Sequence, residues 1–354
     1  MQTLGALRGA QGRDAARQKG GKGGKGEKGG EEERIRVVEI SDLDGFDSLN
    51  LHKNGCQKLL HAKEKWTKYF ISADEVKTIQ NIREDSRFVK FSDYGIINIG
   101  ITTGYNNYFS IDQRTALEFD LEPVTLPLIG RSSHAHGIFF TKDDWEANLE
   151  LQKKARLIDF PDIPLNKYPL KHKNYIKLGE ENEEHVGYKC SIRDRWYRVP
   201  SIWVPDAFFL RRNNLYPKFV LNRCGAVSTD TMHRMKFNEG IEPENVLLSY
   251  YNSISFAFTE VCGRSYGGGV LEILPGEMGN ILLPRVENVD LKLRKKLLGY
   301  VDEVVRNNKN IERALDLVDQ ELLVNTLGID SGLCSECRAI WKKLQKRRLS
   351  RSYR

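Results

Sequence analysis

The sequence predicts an α+β fold, in which a body of short strands and helices follows a disordered N-terminal tail and precedes a helical C-terminal section. Three observations predict it. Residues 19–30 are almost all Gly and Lys, a composition with no apolar surface to bury. Residues 158–290 hold short β-like runs cut by Gly, Pro and Asn. From Val289 onward, apolar residues recur at helical spacing. The predicted regions are a tail at 1–32, an α+β domain at 33–288 and a helical section at 289–354.

In the first half, runs of β-branched and aromatic residues predict strands, and capping signals mark helix starts. Ser72 and Thr141 both precede an acidic first turn. Gly104, followed by Tyr105, Asn106 and Asn107, predicts a turn. The predicted elements are strands at Arg34–Ile40, Phe88–Phe91 and Ile96–Ile101 and helices at Lys65–Phe70, Ala73–Asn81 and Lys142–Leu157.

The second half changes from a strand-like to a helical pattern. Apolar stripes over residues 291–305 and 311–323 predict two helices, and Gly328 ends the second. A last helix at Ser335–Leu349 has a strongly basic face. The elements predicted before these helices are strands at Tyr197–Val199, Ala207–Leu210, Phe219–Asn222, Ser255–Thr259 and Val270–Leu274 and a helix at Pro243–Ser253.

Composition excludes several classes of protein. Hydrophobic residues are 40% and charged residues 29% of the 354 residues, an ordinary globular balance. The chain has no run of about 18 apolar residues and no apolar N-terminal block of the secretory type, so we expect a cytoplasmic protein without a membrane span. Six Cys in so long a chain do not indicate a disulfide framework.

The positive charge is unevenly distributed. The net charge of +7 divides into +5 for residues 1–30, +8 for residues 338–354 and −6 for the residues between them. The overall charge therefore does not by itself indicate nucleic-acid binding. Within residues 188–223, however, eight Lys and Arg stand against two acids, with aromatic residues interleaved. This pattern fits either phosphate and base contacts or a solvated strand pair with a buried aromatic face.

Short motifs do not indicate a catalytic or metal site. Residues 266–269 (YGGG) lack the Lys and Ser/Thr of a phosphate-binding loop, so we interpret them as a backbone turn. His134 and His136 have no neighbouring ligand at metal spacing, and the pair Cys334 and Cys337 has no second pair. Residues 229–233 (TDTMH) could orient a phosphate or a base, but a structural cap is an equal alternative.

A set of motifs in a fixed order resembles a known family. The segments are Lys65–Phe70, Ile99–Phe109, Leu126–Ile129 with Arg131-Ser132, Arg195–Tyr197, Tyr216–Lys218, Asn222-Arg223, Ser228–His233, Asn252-Ser253, Gly263–Leu271, Leu274-Pro275, Asp316–Asp319, Leu327-Gly328 and Arg347–Leu349. Together they resemble the C-terminal, DNA-reading half of N6-adenine DNA methyltransferases from restriction-modification systems. The match is to the gamma arrangement, in which the catalytic domain precedes the target recognition domain. The resemblance covers roughly residues 33–350.

The chain also departs from that family. Such a methyltransferase needs a Gly-rich turn for S-adenosylmethionine (SAM) and an Asn- or Asp-Pro-Pro-aromatic loop for the flipped adenine. Neither motif is present, and the chain has no Pro-Pro dipeptide. The resemblance therefore implies a recognition module that binds double-stranded DNA, carries no cofactor and no catalytic residue, and needs a separate catalytic subunit for methylation. The alternatives are a self-standing DNA-binding protein and a truncated, inactive remnant.

The resemblance and side-chain chemistry together imply a set of DNA contacts. Arginines suit phosphates, and Asn, Gln and Arg side chains suit purine edges. The predicted phosphate contacts are Arg193, Arg195, Arg211, Arg212 and Arg264, with backbone amides near Gly267 and Gly268. The predicted base contacts are Tyr105, Asn106, Asn107, Arg131, Asn213 and Asn214.

Overall fold

The structure is a computed structural model that describes residues 34–37, 56–59, 67, 70–287 and 289–353. It divides into one unit up to Ser72 and a second from Ala73 to Tyr353. In the first unit, β1 (Arg34–Val37) and β2 (Cys56–Leu59) pair antiparallel, which confirms the start of the strand predicted there. The predicted tail and nearly all of the predicted helix over residues 65–70 lie outside the described residues.

The second unit contains short helices and strands in alternation, so the α+β prediction is confirmed. Its helices are α1 (Ala73–Glu84), α2 (Asn106–Phe109), α3 (Gln113–Glu118), α4 (Lys142–Glu150), α5 (Leu170–Glu181), α6 (Tyr188–Ser191), α7 (Pro243–Tyr250), α8 (Ser253–Cys262), α9 (Pro275–Gly279), α10 (Leu291–Arg306), α11 (Glu312–Val318) and α12 (Ser331–Leu349). Its strands are β3 (Phe88–Lys90), β4 (Gly95–Ile99), β5 (Ser110–Ile111), β6 (Thr125–Ile129), β7 (Phe139–Phe140), β8 (Arg156–Ile158), β9 (Ala207–Leu210), β10 (Arg212–Asn213), β11 (Phe219–Asn222), β12 (Val227–Ser228), β13 (Met232–Phe237), β14 (Arg264–Ser265), β15 (Leu271–Glu272) and β16 (Leu282–Pro284).

Two larger sheets form the framework of this unit. One has the strand order β4-β13-β9-β11-β7, antiparallel except for the β11–β7 pair. The other has the order β12-β6-β8-β5, with β12 parallel to β6. A parallel bridge pairs Ile101, just after β4, with Thr229, just after β12, and so links the two sheets. A small antiparallel sheet, β10-β15-β14, stands beside them, and β16 pairs with β3.

An aromatic core fixes the helices against the five-stranded sheet. Phe91 packs edge-on against Phe219 with ring centroids 4.9 Å apart, and Tyr250 lies 5.5 Å from Phe209. These side chains are fully buried, and full burial of such a ring contributes roughly 1.5–3 kcal/mol. The hydroxyl of Tyr251 accepts from the backbone N of Phe219 and donates to its carbonyl, so even its polar atom is satisfied inside the core.

The helical C-terminal section is confirmed. Asp290 and Asp330 cap α10 and α12, each accepting from the backbone N three residues later. The second apolar stripe forms α11 and then a π-helical segment, Asp319–Val324. Gly328 adopts φ 62° after that helix, as predicted for its end. None of the helices in the described residues combines the length and hydropathy that a membrane span requires.

Two elements predicted from the sequence are wrong, and a third, the helix that begins at Lys142 as predicted, was predicted too long. The helix predicted to reach Leu157 ends at Glu150, and strand β8 follows it. The strand predicted at Tyr197–Val199 has no ladder partner among the described residues. The strand predicted at Ser255–Thr259 lies inside helix α8. Every residue of α8 is buried, so its sequence shows no one-sided period to mark it as a helix.

Candidate nucleic-acid interface

Strand order brings several loops to one end of the sheets. Because β13 runs antiparallel to β4 and β9, its first residues lie beside the last residues of both strands: His233 pairs with Ile99 and Met232 with Leu210. β6 and β12 run parallel and end together, and β8 begins at that same end. We call this surface the loop end; it consists of residues 100–107, 130–134, 153–154, 211–217 and 229–231.

Arg193 holds the first loop in place. Its Nη2 donates to the carbonyl of Thr103 at 2.7 Å, and its guanidinium lies 5.5 Å from the ring of Phe109. Gly104 has φ +88°, and an added Cβ there would lie 2.9 Å from the Cβ of Lys189. Arg193 therefore fixes a tight backbone turn, which needs a glycine at this position.

That turn presents three exposed polar side chains. Tyr105, Asn106 and Asn107 are all exposed. Asn107 accepts through its backbone carbonyl from Nζ of Lys154 at 3.0 Å. The predicted turn is confirmed in position, although Asn106 begins the one-turn helix α2 instead of an irregular turn. The amide groups of Asn106 and Asn107 are thus placed on a short helix at the loop end.

Arg131 is an exposed cation on the second loop. Within the part of the chain that the structure describes, it forms no ion pair. The loop behind it is fixed: His134 is buried, and its carbonyl accepts from Nδ2 of Asn148 at 3.0 Å. Burial, together with the charges of Lys153 and Arg131, lowers the pKa of His134 from 6.5 to about 4, so its ring is neutral at pH 7.

Arg211, Arg212 and Arg264 form an arginine cluster with two carboxylates, those of Glu272 and Glu277. In the small sheet, Arg212 and Arg264 lie directly opposite Glu272 on either side of β15. Nε of Arg211 lies 3.0 Å and Nε of Arg212 3.5 Å from Oε1 of Glu272, whereas Arg264 binds Glu277 at 2.6 Å. Burial raises the pKa of Glu272. The hydrogen bond from Tyr266 and the charges of Arg211 and Arg212 lower this pKa by more, so it ends below its ordinary value. The carboxylates of Glu272 and Glu277 therefore hold three guanidinium groups on or next to the outer strands of the small sheet.

The glycine turn lies next to this cluster. Gly267–Gly269 joins β14 to β15, and Gly268 adopts φ 72°, which favours glycine. A hydrogen bond from the backbone N of Tyr266 to the carbonyl of Val270 closes the turn at 2.9 Å. A Cβ on Gly267 or Gly268 would meet open space, so a ligand can approach this backbone closely.

Two residues predicted to contact DNA lie elsewhere: Arg195 is away from the loop end, and Asn213 is buried. Arg195 pairs with Asp162 at 2.5 Å and donates to the carbonyl of Ile163, beyond the far end of β8. Asn213 is only 3% exposed. Its Nδ2 donates to the carbonyl of Leu210 at 2.9 Å, and its Oδ1 accepts from the backbone N of Lys218 at 3.1 Å. Asn213 therefore stabilises the β9–β11 connection, while its neighbour Asn214 is exposed.

Sequence reasoning missed two lysines at the loop end. Lys153 donates through Nζ to Oδ1 of Asn148 at 2.8 Å, and the exposed Lys154 lies against Asn107. Both follow a helix that was predicted to continue through them, so no local signal marked them as loop residues. Only the register of β8 beside β6 places them next to Arg131 and the turn at Asn107.

The arrangement suits a polyanion. The cations of the loop end are Arg131, Lys153, Lys154, Arg211 and Arg212, with Arg193 directly behind the first loop, and the acids beside them are Asp230, Glu272 and Glu184, the last of which hydrogen-bonds Tyr105. Guanidinium and ammonium groups neutralise phosphates, and exposed Asn side chains can donate to and accept from a purine edge.

The pair Cys334 and Cys337 lies buried on the first turns of α12, where burial raises the pKa of the Cys334 thiol to about 12.

The chain is similar to enzymes of restriction-modification systems. It is 26% identical over 276 residues to type II methyltransferase M.AccI from Acinetobacter calcoaceticus, covering 74% of this chain and 48% of that protein. The chain thus spans about half the length of this curated relative. Its fold is similar to part of the type IIG restriction endonuclease BpuSI, with a TM-score of 0.52, 11% identity, and coverage of 84% of this chain and 36% of the other. The type IIL restriction-modification enzyme MmeI, solved with DNA, matches with a TM-score of 0.43 and 9% identity over 71% of this chain and 35% of MmeI.

A family match covers most of the chain. The family described as the C-terminal domain of type II methyltransferase M.Eco57I matches residues 63–323, about three quarters of the 354 residues. That range contains every loop of the loop end and the whole arginine cluster. The chain therefore belongs to the family of the C-terminal domain of type II methyltransferase M.Eco57I.

Proposed function

We propose that this chain is the DNA-recognition portion of a restriction-modification methyltransferase that modifies adenine at N6, and that it binds double-stranded DNA through the loop end and the arginine cluster. The observation that carries the proposal is the clustering of exposed Asn side chains and cations on loops from separate strands at one end of a rigid framework. Membership of a methyltransferase C-terminal family supports the same conclusion.

The side chains divide into two roles. Arg212, Arg264 and Arg131 are exposed and suit phosphate oxygens, with Arg211 behind them and the backbone amides at Gly267 and Gly268 beside them. The exposed side chains Tyr105, Asn106, Asn107 and Asn214 suit base edges. Arg193 acts on DNA through the turn that it holds. Because Arg195 binds Asp162 and Ile163, away from the loop end, we expect Arg195 to contribute little affinity. The side chain of Asn213 is buried and forms hydrogen bonds to the backbone, so we assign it a structural role.

Methyl transfer needs groups that this sequence does not contain. Within these 354 residues there is no Pro-Pro dipeptide, and hence no Asn- or Asp-Pro-Pro-aromatic loop. We therefore propose that a separate catalytic subunit binds SAM and the flipped adenine, while this chain selects the DNA site. Exposed apolar side chains support a partner: Leu170 is 72% and Val186 60% exposed, and both lie on the stretch from α5 to α6.

The test is selection of bound sequences from random duplex DNA, followed by a salt titration of the selected duplex. We expect the full chain to enrich one short motif and to retain that preference after removal of residues 1–30. Sequence-blind binding that disappears with those residues would contradict the proposal, because the tail alone would then account for the affinity.

A second measurement separates a recognition subunit from a self-standing DNA-binding protein. Methylation of the selected duplex is measured with SAM and a methyltransferase catalytic subunit, with and without this chain. We expect N6-methyladenine only with both chains present. Tight specific binding without any gain in methylation would favour the self-standing binder instead.

A further inference from the structure

The last turn of α12 inserts a buried arginine between two loops. Arg348 is 1% exposed although it lies in the most basic stretch of the chain. Its Nη2 donates to Oε1 of Glu260 at 2.7 Å. Its Nη1 donates to the carbonyls of Asn214, at 2.6 Å, and Gly269. One guanidinium thus joins helix α8 to two separate backbone segments.

Both carbonyls belong to segments that the proposed function uses. Asn214 directly follows β10, and Gly269 is the last residue of the glycine turn between β14 and β15. Strands β10 and β14 are the two outer strands of the small sheet that carries the arginine cluster. The same helix also donates from Nε2 of Gln345 to the carbonyl of Leu215. α12 therefore holds the backbone on both sides of that cluster.

The glycine turn particularly needs such a contact. Gly268 and Gly269 both have positive φ, near 72°, and Gly267 and Gly268 have no side chain with which to pack. Glycine segments have many accessible conformations, so a bond from outside the turn adds to the Tyr266–Val270 hydrogen bond in selecting one of them. A guanidinium fork can bond a carboxylate and two carbonyls at once, whereas a lysine ammonium has neither the reach nor the planar fork.

The chemistry of the pair favours a role in conformation over one in stability. A buried ion pair gains little net free energy over apolar packing, because both charges lose their hydration. Glu260 is almost fully buried, and this burial raises the pKa of its carboxyl even beside Arg348. The pair is costly to bury, and its arginine also bonds two loop carbonyls. We therefore expect it to define the geometry of these loops.

We propose that Arg348, held by Glu260, is a positioning residue for sequence-specific DNA recognition, because it fixes the Asn214 and Gly267–Gly269 backbones in the conformation that contacts DNA. This inference rests on the proposed function. It predicts that loss of the fork lowers the preference for the selected DNA sequence and leaves sequence-blind affinity in place, since the phosphate-binding side chains remain.

The experiment compares Arg348→Lys with a matched control, Arg338→Lys, in the full chain. Arg338 lies on the same helix and binds Asp319 at 3.0 Å and Ser253 at 2.6 Å, but neither partner belongs to the loops. We expect Arg348→Lys to lower the ratio of specific to nonspecific affinity at least tenfold with an unchanged salt slope. We expect Arg338→Lys to change this ratio less than twofold. Equal ratios in both variants would overturn the proposal.

Two additions keep the test decisive. The double variant Arg348→Met with Glu260→Met removes both buried charges, so it remains folded if the single variant does not, and it should show the same loss of preference. Hydrogen exchange without DNA should become faster in residues 214–217 and 266–270 of the variants and stay unchanged elsewhere. Unchanged exchange in those loops would reject the positioning role of Arg348, whatever the DNA-binding result. If instead the wild-type chain selects no DNA sequence, that result alone would reject only the proposed function.

Discussion

Arg212→Ala tests the proposed phosphate contacts most directly. The Arg212 side chain is 70% exposed, and its ion-pair partner Glu272 keeps a shorter contact to Arg211 at 3.0 Å. The substitution therefore leaves no unpaired buried carboxylate, and an exposed pair contributes at most about 1 kcal/mol to stability. We expect the folded structure to remain intact while one phosphate contact is lost.

The size of the binding effect follows from counterion release. Each phosphate contact contributes about 0.9 to the slope of log affinity against log salt. Loss of one contact weakens binding about fivefold at 0.15 M salt, or about 1 kcal/mol. Between 50 and 200 mM salt, the variant should lose about 3.5-fold less affinity than the wild type does.

Fluorescence anisotropy of a labelled duplex over that salt range measures both quantities. Arg285→Ala is the matched control, because Arg285 is a half-exposed arginine that pairs with Glu287 at 3.2 Å. It lies near Tyr94, at the end of the five-stranded sheet opposite the loop end. If Arg212→Ala and Arg285→Ala give the same salt slope, the arginine cluster does not contact phosphates and the proposed interface is wrong.

Three further substitutions test the framework. Gly100→Ala should lower the free energy of unfolding in urea by more than about 2 kcal/mol, because its Cβ would lie under 3.0 Å from the carbonyl oxygen of Thr229; an unchanged urea midpoint would refute the packing described here. Tyr251→Phe should cost about 1–3 kcal/mol, since it leaves the backbone N of Phe219 without that buried acceptor, and a cost below about 0.5 kcal/mol would show that the bond is dispensable. The lowered pKa of His134 means that the unfolded chain takes up a proton first, so stability should fall as pH drops from 6.5 toward about 4. That fall should be smaller in His134→Gln, and equal pH profiles in urea unfolding would contradict the burial assigned to this ring.

Sequence patterns predicted a helix with one-sided burial and short buried strands. The stripe over residues 291–305 is helix α10, and the apolar runs at Ala207–Leu210 and Phe219–Asn222 are buried strands of the five-stranded sheet. The same reasoning failed for α8, because a helix that is buried on all sides has no polar face to reveal its period. A short apolar run is therefore correctly assigned when it is a buried strand and wrongly assigned when it belongs to a fully buried helix.

The site was only partly predictable for a different reason. The spacing of Gly104 and Asn106 along the chain was enough to indicate a turn. The arginine cluster depends on strand pairs that join Arg212 to Glu272 and Glu272 to Arg264, the first of them 60 residues apart in sequence. No local motif encodes such a register, so the arginines could be proposed individually but not as one cluster.

The carboxylate at the centre of the cluster has a consequence for DNA binding. Glu272 accepts from Arg211 and lies within ion-pair distance of Arg212, so both guanidinium groups are ordered before any ligand arrives. Ordering a free arginine side chain on binding would cost up to about 2 kcal/mol of rotamer entropy, and here much of that cost is met during folding. Glu272 and Asp230, which lies 4.0 Å from Arg211, together balance these two guanidinium charges, so the advantage for a phosphate comes from this prior ordering and not from an uncompensated charge. Replacing Glu272 by Gln should therefore raise the bare charge of the cluster and yet weaken specific binding, because the two arginines would lose the anion that orders them.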